Sequence, residues 1–310
     1  MASTISFIQA NLQHSISAYR MLTRTVSVKE IDMALIQEPW YHGGCIRGLN
    51  IPSYTLFSVN GIDRPRACIL TRNERAWMLP GSSCSDLVAV LIKYNEEGVE
   101  RRLVVCSAYL PYDSKDPPPS KEFENPVHYC EKENLCFVVG YNSNAHHGVW
   151  GSTNCNTRGE TLMEFLKTTN LEFLNRVNEP TFCSGGRLQV TDISLGFLRP
   201  LESIIGWKVS SEPSLSDHRH ILFILWGSVP ARLIRDPRGT NWGSFREDLR
   251  ERLERGPEMD MKSEAALGLA IHWVQQALIL AYGNNCPLRP VKTGSNLCSG
   301  RRNWTPSEEE

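Results

Sequence analysis

An α/β layer structure is the fold this sequence predicts, and three observations predict it. Short apolar runs rich in β-branched residues recur along the chain and end in polar side chains. Segments with apolar residues at helical spacing separate several of them. Between Tyr54 and Tyr94 the runs YTLFSV, RACIL and DLVAVLIKY follow one another with only turns between, as in an antiparallel meander. The clearest run is residues 135–139, LCFVV, a buried strand that Gly140 is expected to end. Asn142, Asn144, His146 and His147 follow at once, where α/β folds place ligands and chemistry. Asn144 offers a donor and an acceptor for a phosphate oxygen or a water. Read alone, the cluster serves equally well as an Asx-rich turn.

Taken in order, residues 5–10 form an apolar strand followed by Asn11. Ser15 or Ser17 is placed to cap a helix in which Ala18, Met21, Leu22, Thr25 and Val26 recur on one face. Residues 33–37 form a second strand, and Pro39 stops regular structure directly after Glu38. A carboxylate at such a tip is either a solvated loop residue or a metal ligand. Arg64, Arg66, Arg72 and Arg75 lie at the turns of the meander. Residues 103–110 read as another buried strand with Tyr109 near its end, and a proline-rich loop then leads to a helix over residues 120–133. Beyond the central run, a helix is expected over 157–169, with Leu162, Phe165 and Leu166 inward. Strands follow over 188–195, carrying Asp192 in mid-strand, then over 204–209 and 221–226. A buried aspartate needs a partner, because a lone carboxylate is costly away from water.

Composition narrows the classes. The 310 residues carry a net charge of -1 and are 41% hydrophobic, enough for a sizeable core and too neutral for blanket binding to nucleic acid. The ten cysteines include no CxxC pair, and Cys68, Cys106 and Cys136 lie in apolar runs, which suits a reduced, intracellular setting. Neither a signal peptide nor a membrane span is expected. Composition shifts near residue 229 towards proline and arginine, with Arg232, Arg235 and Arg238. The expected division is therefore residues 1–228 as one domain, 229–284 as a basic linker with amphipathic helices, and 285–310 as a tail without structure of its own.

Collected together, Asn11, Glu38, Tyr109, Asn142, Asn144, Asp192, Asp217 and His218 supply what metal-assisted phosphodiester hydrolysis needs. A hard cation such as Mg2+ wants carboxylate and amide oxygens, here Glu38, Asp217 and Asn11. Tyr109, Asn144 and His218 could meet growing negative charge on a phosphate. Asp192 could set the tautomer of His218 and favour its charged form.

The order of these motifs resembles the endonuclease/exonuclease/phosphatase superfamily: Asn11 after the first strand, Gln37-Glu38-Pro39, Ser107-Ala108-Tyr109-Leu110-Pro111, Asn144-Ala145-His146-His147, Thr191-Asp192 and Ser216-Asp217-His218. More narrowly, NAHHGVWGSTNCNTRGETLMEFL, NEPTF and SEPSLSDHRHI are similar to the endonuclease domain of non-LTR retrotransposons. That resemblance implies a four-layer, DNase I-like α/β sandwich of two mainly antiparallel sheets, here with a helical C-terminal extension. It implies Mg2+-dependent nicking of DNA, with Mn2+ as an alternative cation. Glu38, Asn11 and Asp217 would serve the metal, Tyr109 and Asn144 the phosphate, and Asp192 and His218 a charge pair. Action in the nucleus follows from the same resemblance, as does a reverse transcriptase domain or retroelement RNA as partner. The segment Pro237-Arg238-Gly239-Thr240-Asn241-Trp242 is similar to the connection that leads to a reverse transcriptase in such polyproteins, and no polymerase-like sequence follows Tyr282.

One position departs from the family pattern. Where the family has aspartate two residues before the Asn-Ala-His motif, this chain has Asn142. An amide cannot take a proton at neutral pH, so activity is expected to be weak or lost. Two other readings use the same residues. One is a non-cleaving DNA-binding module using Arg64, Arg66, Arg72 and Arg75 with the linker arginines Arg232, Arg235 and Arg238; the other is a phosphoesterase acting on a small molecule or lipid head group.

Overall fold

The computed structural model describes residues 4–96, 98–114, 117–176, 179–198, 203–226, 233–256 and 264–290. The chain divides into two compact units, Met1–Val229 and Pro230–Glu310.

The first unit holds two six-stranded sheets. In one, the strands lie in the order Ser203–Val209, Ile221–Trp226, Thr4–Asn11, Met33–Gln37, Ala67–Thr71, Thr55–Phe57. In the other the order is Glu172–Phe173, Asp192–Phe197, Cys136–Asn142, Val99–Tyr109, Leu87–Glu96, Ala76–Met78. Each sheet has one parallel pair, Thr4–Asn11 with Met33–Gln37 and Val99–Tyr109 with Cys136–Asn142; the other pairs are antiparallel.

Alternation along the strands builds four layers. Phe7 points into the core between the sheets, where it stacks on Phe223 at 4.9 Å and joins Met33, Leu35, Ile69, Val90, Val105 and Val138. Its neighbour Ile8 points the other way, against Ala18, Leu22 and Val26 of helix α1, Ile16–Val28. Ser15, not Ser17, caps that helix by accepting from the Ala18 amide. On the outer face of the second sheet, Val104, Cys106, Phe137 and Val139 pack on Phe123 and Val127 of α2, Lys121–Glu133, and on Leu162 and Leu166 of α3, Thr157–Thr168. Burial on both faces explains why these strands read as continuous apolar runs.

Three sequence expectations change. The run from Tyr54 to Tyr94 is not one meander: Thr55–Phe57 and Ala67–Thr71 belong to the first sheet, Ala76–Met78 and Leu87–Glu96 to the second. Local alternation looks the same in either sheet, and only pairing partners separate them. Gly140 does not end the central strand, which runs on through Tyr141 to Asn142. The glycine is needed for packing, since a Cβ there would come within 3.0 Å of the Gln9 side chain. Asp192 opens its strand and is not in mid-strand; residues 187–189 pair instead with Phe182–Ser184 in a separate hairpin that leaves Leu188 exposed.

The second unit contains α4, Trp242–Glu254, and α5, Glu264–Asn285. Trp242, Phe245 and Tyr282 form an aromatic cluster between them. Asp248 accepts from Arg252, Asn284 and Asn285. A short strand pair, Leu233–Arg235 with Leu288–Pro290, closes the unit. Ser263, which the sequence places to cap the second of the expected amphipathic helices, linker residue Arg232 and tail residues 291–310 lie outside the described residues. No helix among the described residues is long and apolar enough to cross a membrane.

Candidate active site

A belt of buried polar side chains ties the two sheets together just beneath the strand ends. Gln37 donates to Ser107 Oγ at 3.0 Å and to the Gly140 carbonyl at 3.1 Å, while Ser107 donates back to the Ile36 carbonyl at 2.7 Å. Ser194 donates to Gln9 Oε1 and accepts from the Trp207 indole. Gln9, Ser107 and Gly140 each lie two residues before Asn11, Tyr109 and Asn142, and Ser194 lies two after Asp192. With a strand period of two, the belt and the strand-end residues face the same side one pleat apart. The strand-end groups are thus held on a braced floor.

Register then places the catalytic candidates side by side. Tyr109 is opposite Asn142, and Asn142 is opposite Asp192. Asp192 is fully buried. Its Oδ1 accepts from Asn142 Nδ2 at 2.6 Å, and its Oδ2 pairs with His218 Nδ1 at 2.7 Å and accepts from Thr191 Oγ1 at 3.2 Å. Burial opposes charge on both partners, but mutual attraction prevails: the His218 pKa is raised and the Asp192 pKa lowered. The segment carrying His218 is held by the hairpin at Phe182, through a bridge between Phe182 and His218, the Cys183 amide on the Asp217 carbonyl, and the Phe182 ring edge on the imidazole at 5.0 Å.

Glu38 meets this group from the other sheet. The Tyr109 hydroxyl donates to Glu38 and also meets the Asn144 amide; burial first, then the Glu38 charge, pushes the Tyr109 pKa up, so the phenol stays protonated. Glu38 and Asp217 both lie close enough to His218 to favour its charged form. Arg66 lies over the Tyr109 ring at 5.5 Å and is held by Asp86 at 2.5 and 2.7 Å. Asn144 donates to the Leu110 carbonyl at 2.8 Å, which fixes its side chain beside Tyr109.

Glu38, Asn144, Gln13 and His14 all have positive φ between 45° and 56°. Non-glycine residues rarely adopt that conformation, and its clustering in these loops is typical of functional strain. The structure therefore brings Asn11, Glu38, Tyr109, Asn142, Asn144, Asp192, Asp217 and His218 to one end of the two sheets. His146 and His147 are turned to loop building: His146 Nδ1 meets Asn154 Oδ1 at 2.8 Å, and a His147 ring nitrogen accepts from the Val149 amide. Of the four arginines expected to face DNA, Arg66, Arg72 and Arg75 are paired with Asp86, Asp32 and Glu100, and Arg64 is exposed with no ion pair among the described residues.

Two residues that the sequence did not single out organise the loops. Gln13 accepts from the Asp217 amide at 2.8 Å and from Ser216 Oγ at 3.2 Å, donates to Asp217 Oδ2 at 3.2 Å, and gives its own amide to Asn11 Oδ1 at 2.9 Å. Hydrogen bonds from Ser184 and Gln13 hold the Asp217 pKa below the usual carboxylate value. Arg158 reaches the carbonyls of Asn144, Pro111 and Ser114, joining the loops on either side of Tyr109 and Asn144. Only a polar residue next to a motif residue could have flagged Gln13, and nothing local flags Arg158.

The donor set is hard and oxygen-rich: carboxylates at Glu38 and Asp217 and a carboxamide at Asn11. Among the described residues no three His, Cys, Asp or Glu side chains gather into a closed cage. Asn142 Oδ1 and Asn11 Nδ2 are buried without a partner among the described residues, so polar capacity at the site is left for a ligand, ion or water. An open oxygen set of this kind fits a small divalent cation that keeps several waters.

Comparison with solved structures gives the fold its relatives. The endonuclease domain of TRAS1, a telomere-specific non-LTR retrotransposon, superposes with a TM-score of 0.60 at 23% identity, over 72% of this chain and 98% of that one. Residues 103–222 match the family model described as endonuclease-reverse transcriptase. The fold is that of the endonuclease/exonuclease/phosphatase superfamily. An AP endonuclease from Leishmania major shares this superfamily fold with a TM-score of 0.56 at 12% identity, over 73% of this chain and 88% of that one. The APE2 catalytic domain from Xenopus laevis does so at 0.53 and 14%, over 74% and 94%. At these identities the likeness is one of fold. No curated protein matches the chain by sequence. The four-layer sandwich expected from the motifs is the one observed.

Proposed function

We propose that the first unit is a target-DNA-nicking endonuclease domain of a non-LTR retrotransposon, dependent on Mg2+ and slowed by Asn142. The observation that carries this reading is the meeting of Glu38, Tyr109 and Asn144 with the Asp192–His218 pair at one end of a retrotransposon-endonuclease fold. Glu38, with Asn11 and Asp217, would hold the cation, which when bound polarises the phosphodiester and lowers the pKa of a water. Asn144 would donate to a non-bridging oxygen, as would the protonated Tyr109 hydroxyl on turning from Glu38 once the cation takes up that carboxylate, and His218, kept cationic by Asp192, would oppose charge that grows as the bond breaks. Water activation is the missing part: Asn142 orients but cannot accept a proton. DNA is the expected substrate and the nucleus its place of action.

The test is a supercoiled-plasmid assay of the full chain in Mg2+ or EDTA, with Glu38→Ala alongside. Slow nicking in Mg2+, abolished by EDTA and by Glu38→Ala, is the expected result. Equal nicking by Glu38→Ala would overturn the assignment. A second reading, a DNA-binding module that does not cut, draws on Asn142 for the lost cleavage and on the exposed Arg64, alone of the four arginines without an ion pair among the described residues, for phosphate contact. Salt-sensitive plasmid binding with no nicking at any Mg2+ concentration would favour it.

A further inference from the structure

Three rings stack in a column next to the Glu38 loop. Tyr19 of α1 lies parallel to Trp40 with centroids 5.2 Å apart and planes 6° apart, and Trp40 in turn faces His42 at 6.2 Å and 18°. The Tyr19 end is closed. Gly48, with φ of +82°, runs so close to that ring that a Cβ would come within 2.2 Å of it. The other end is open, because His42 is exposed on the short hairpin formed by Tyr41–His42 and Cys45–Ile46.

Arg47 braces the hairpin, and His14 ties the segment before Trp40 to the site. Arg47 donates its amide to the Trp40 carbonyl at 2.9 Å and Nε to the His42 carbonyl at 3.0 Å. His14 meets the Pro39 carbonyl at 2.9 Å with one ring nitrogen, and its other ring nitrogen lies 3.7 Å from Glu38 Oε1. The surrounding chain has no aspartate or glutamate from Pro39 to Ile62. The exposed Arg47 guanidinium has no carboxylate partner among the described residues.

A column that served only as core would end in a buried ring. This one ends in water, beside the Arg47 guanidinium, which suits a flat π-faced ligand joined to an anion. We propose that the open end of the Tyr19–Trp40–His42 column is a stacking platform for an unpaired nucleobase next to the phosphate held at the site, with Arg47 meeting the adjoining backbone. Within a duplex both faces of a base are covered by its neighbours; only an unpaired or extruded base has a face to give. The proposal rests on the nuclease reading for its placement beside a scissile phosphate, and the stacking itself needs no cleavage.

The experiment is therefore done in EDTA, where nothing is cut. Binding of a short labelled single-stranded oligonucleotide is compared with binding of the same sequence as a blunt duplex, by fluorescence anisotropy and tryptophan quenching. The proteins are the full chain and its His42→Ala, His42→Phe, Trp40→Leu and Arg47→Ala variants, each checked for a wild-type thermal transition. The expected result is tighter binding of the single strand by the wild type. His42→Ala and Trp40→Leu should lose about ten-fold to a hundred-fold of that affinity, the worth of one base–aromatic stack. Duplex binding should hold steady, and His42→Phe should restore the single-strand affinity. Arg47→Ala should weaken single-strand binding and flatten its salt dependence. Folded His42 variants that bind both forms like the wild type, or lose both equally, would overturn the platform and leave the column as a brace for the hairpin. Should Trp40→Leu fail to fold, the exposed His42 decides alone. Failure of the nuclease reading would appear separately, as absence of nicking in Mg2+ with single-strand stacking intact.

Discussion

Asn142 gives its side-chain amide to Oδ1 of Asp192 across 2.6 Å, and a carboxylate at the same position could not make that bond. Asp192 would lose a donor and gain a like charge, and the two carboxyls would titrate as a pair sharing a proton. Asn142→Asp should therefore act in two directions. Stability should fall by about 1–3 kcal/mol, the usual cost of unmaking a buried hydrogen bond. Nicking in Mg2+ should rise about a hundred-fold to ten-thousand-fold as a proton acceptor is restored. A thermal melt and a plasmid assay read the two effects independently, and an unchanged rate would remove Asn142 from the account of weak activity.

Asp192→Asn tests the charge pair. The His218 pKa is raised, so its stabilisation is complete below the unfolded value and is lost as pH rises through the folded one. The Asp192 pKa is lowered, so its share is present above the unfolded value and is lost as pH falls through the folded one. Between the two unfolded values, about pH 4 to 6.5, the pair contributes fully. In that window Asp192→Asn should cost about 3–5 kcal/mol, because it leaves a buried cation alone. The difference from wild type should shrink as pH rises through the folded His218 value. Denaturant titrations at several pH values check this, and a cost independent of pH would deny the ion pair.

Gln13 joins the Asp217 loop to the end of the first strand, and Gln13→Ala should release both. Two donors, the Asp217 amide and Ser216 Oγ, lose their acceptor. Stability should drop by about 1–3 kcal/mol. The Mg2+ concentration for half-maximal nicking should rise while nicking at saturating Mg2+ changes less. A change confined to the saturated rate would mean that Gln13 does not set the metal-side groups.

His220 is buried, and burial pushes its pKa down to about 4. Its folded value lies below the unfolded one, so the unfolded chain takes up the proton first. Stability should therefore fall as pH drops from about 6.5 to 4, by about 3 kcal/mol in all. His220→Gln should lose less over the same range, as followed by urea midpoints; parallel curves for the two proteins would refute the assignment.

Much of the architecture was legible because burial leaves a periodic trace. The first two strands and helices α1, α2 and α3 lie within a few residues of where the apolar spacing puts them. Less was legible wherever the deciding contact lies far along the chain. The strands between Tyr54 and Tyr94 carry the same alternation in either sheet, and Gly140 reads as a strand end until Gln9 is seen across from it. Gln13 and Asp217 are joined over 204 positions, a distance at which no local pattern speaks.

Side-chain type and order along the chain, by themselves, determined that acids, amides and a histidine would sit at strand ends, because alternation and turn residues are local properties of a polymer. Only tertiary structure decided which of them meet. The register of Tyr109, Asn142 and Asp192, the belt that sets Glu38 opposite them, and the ring column beside the Glu38 loop all depend on two sheets closing on one core. That closure is driven by apolar area removed from water, a property of the whole chain at once.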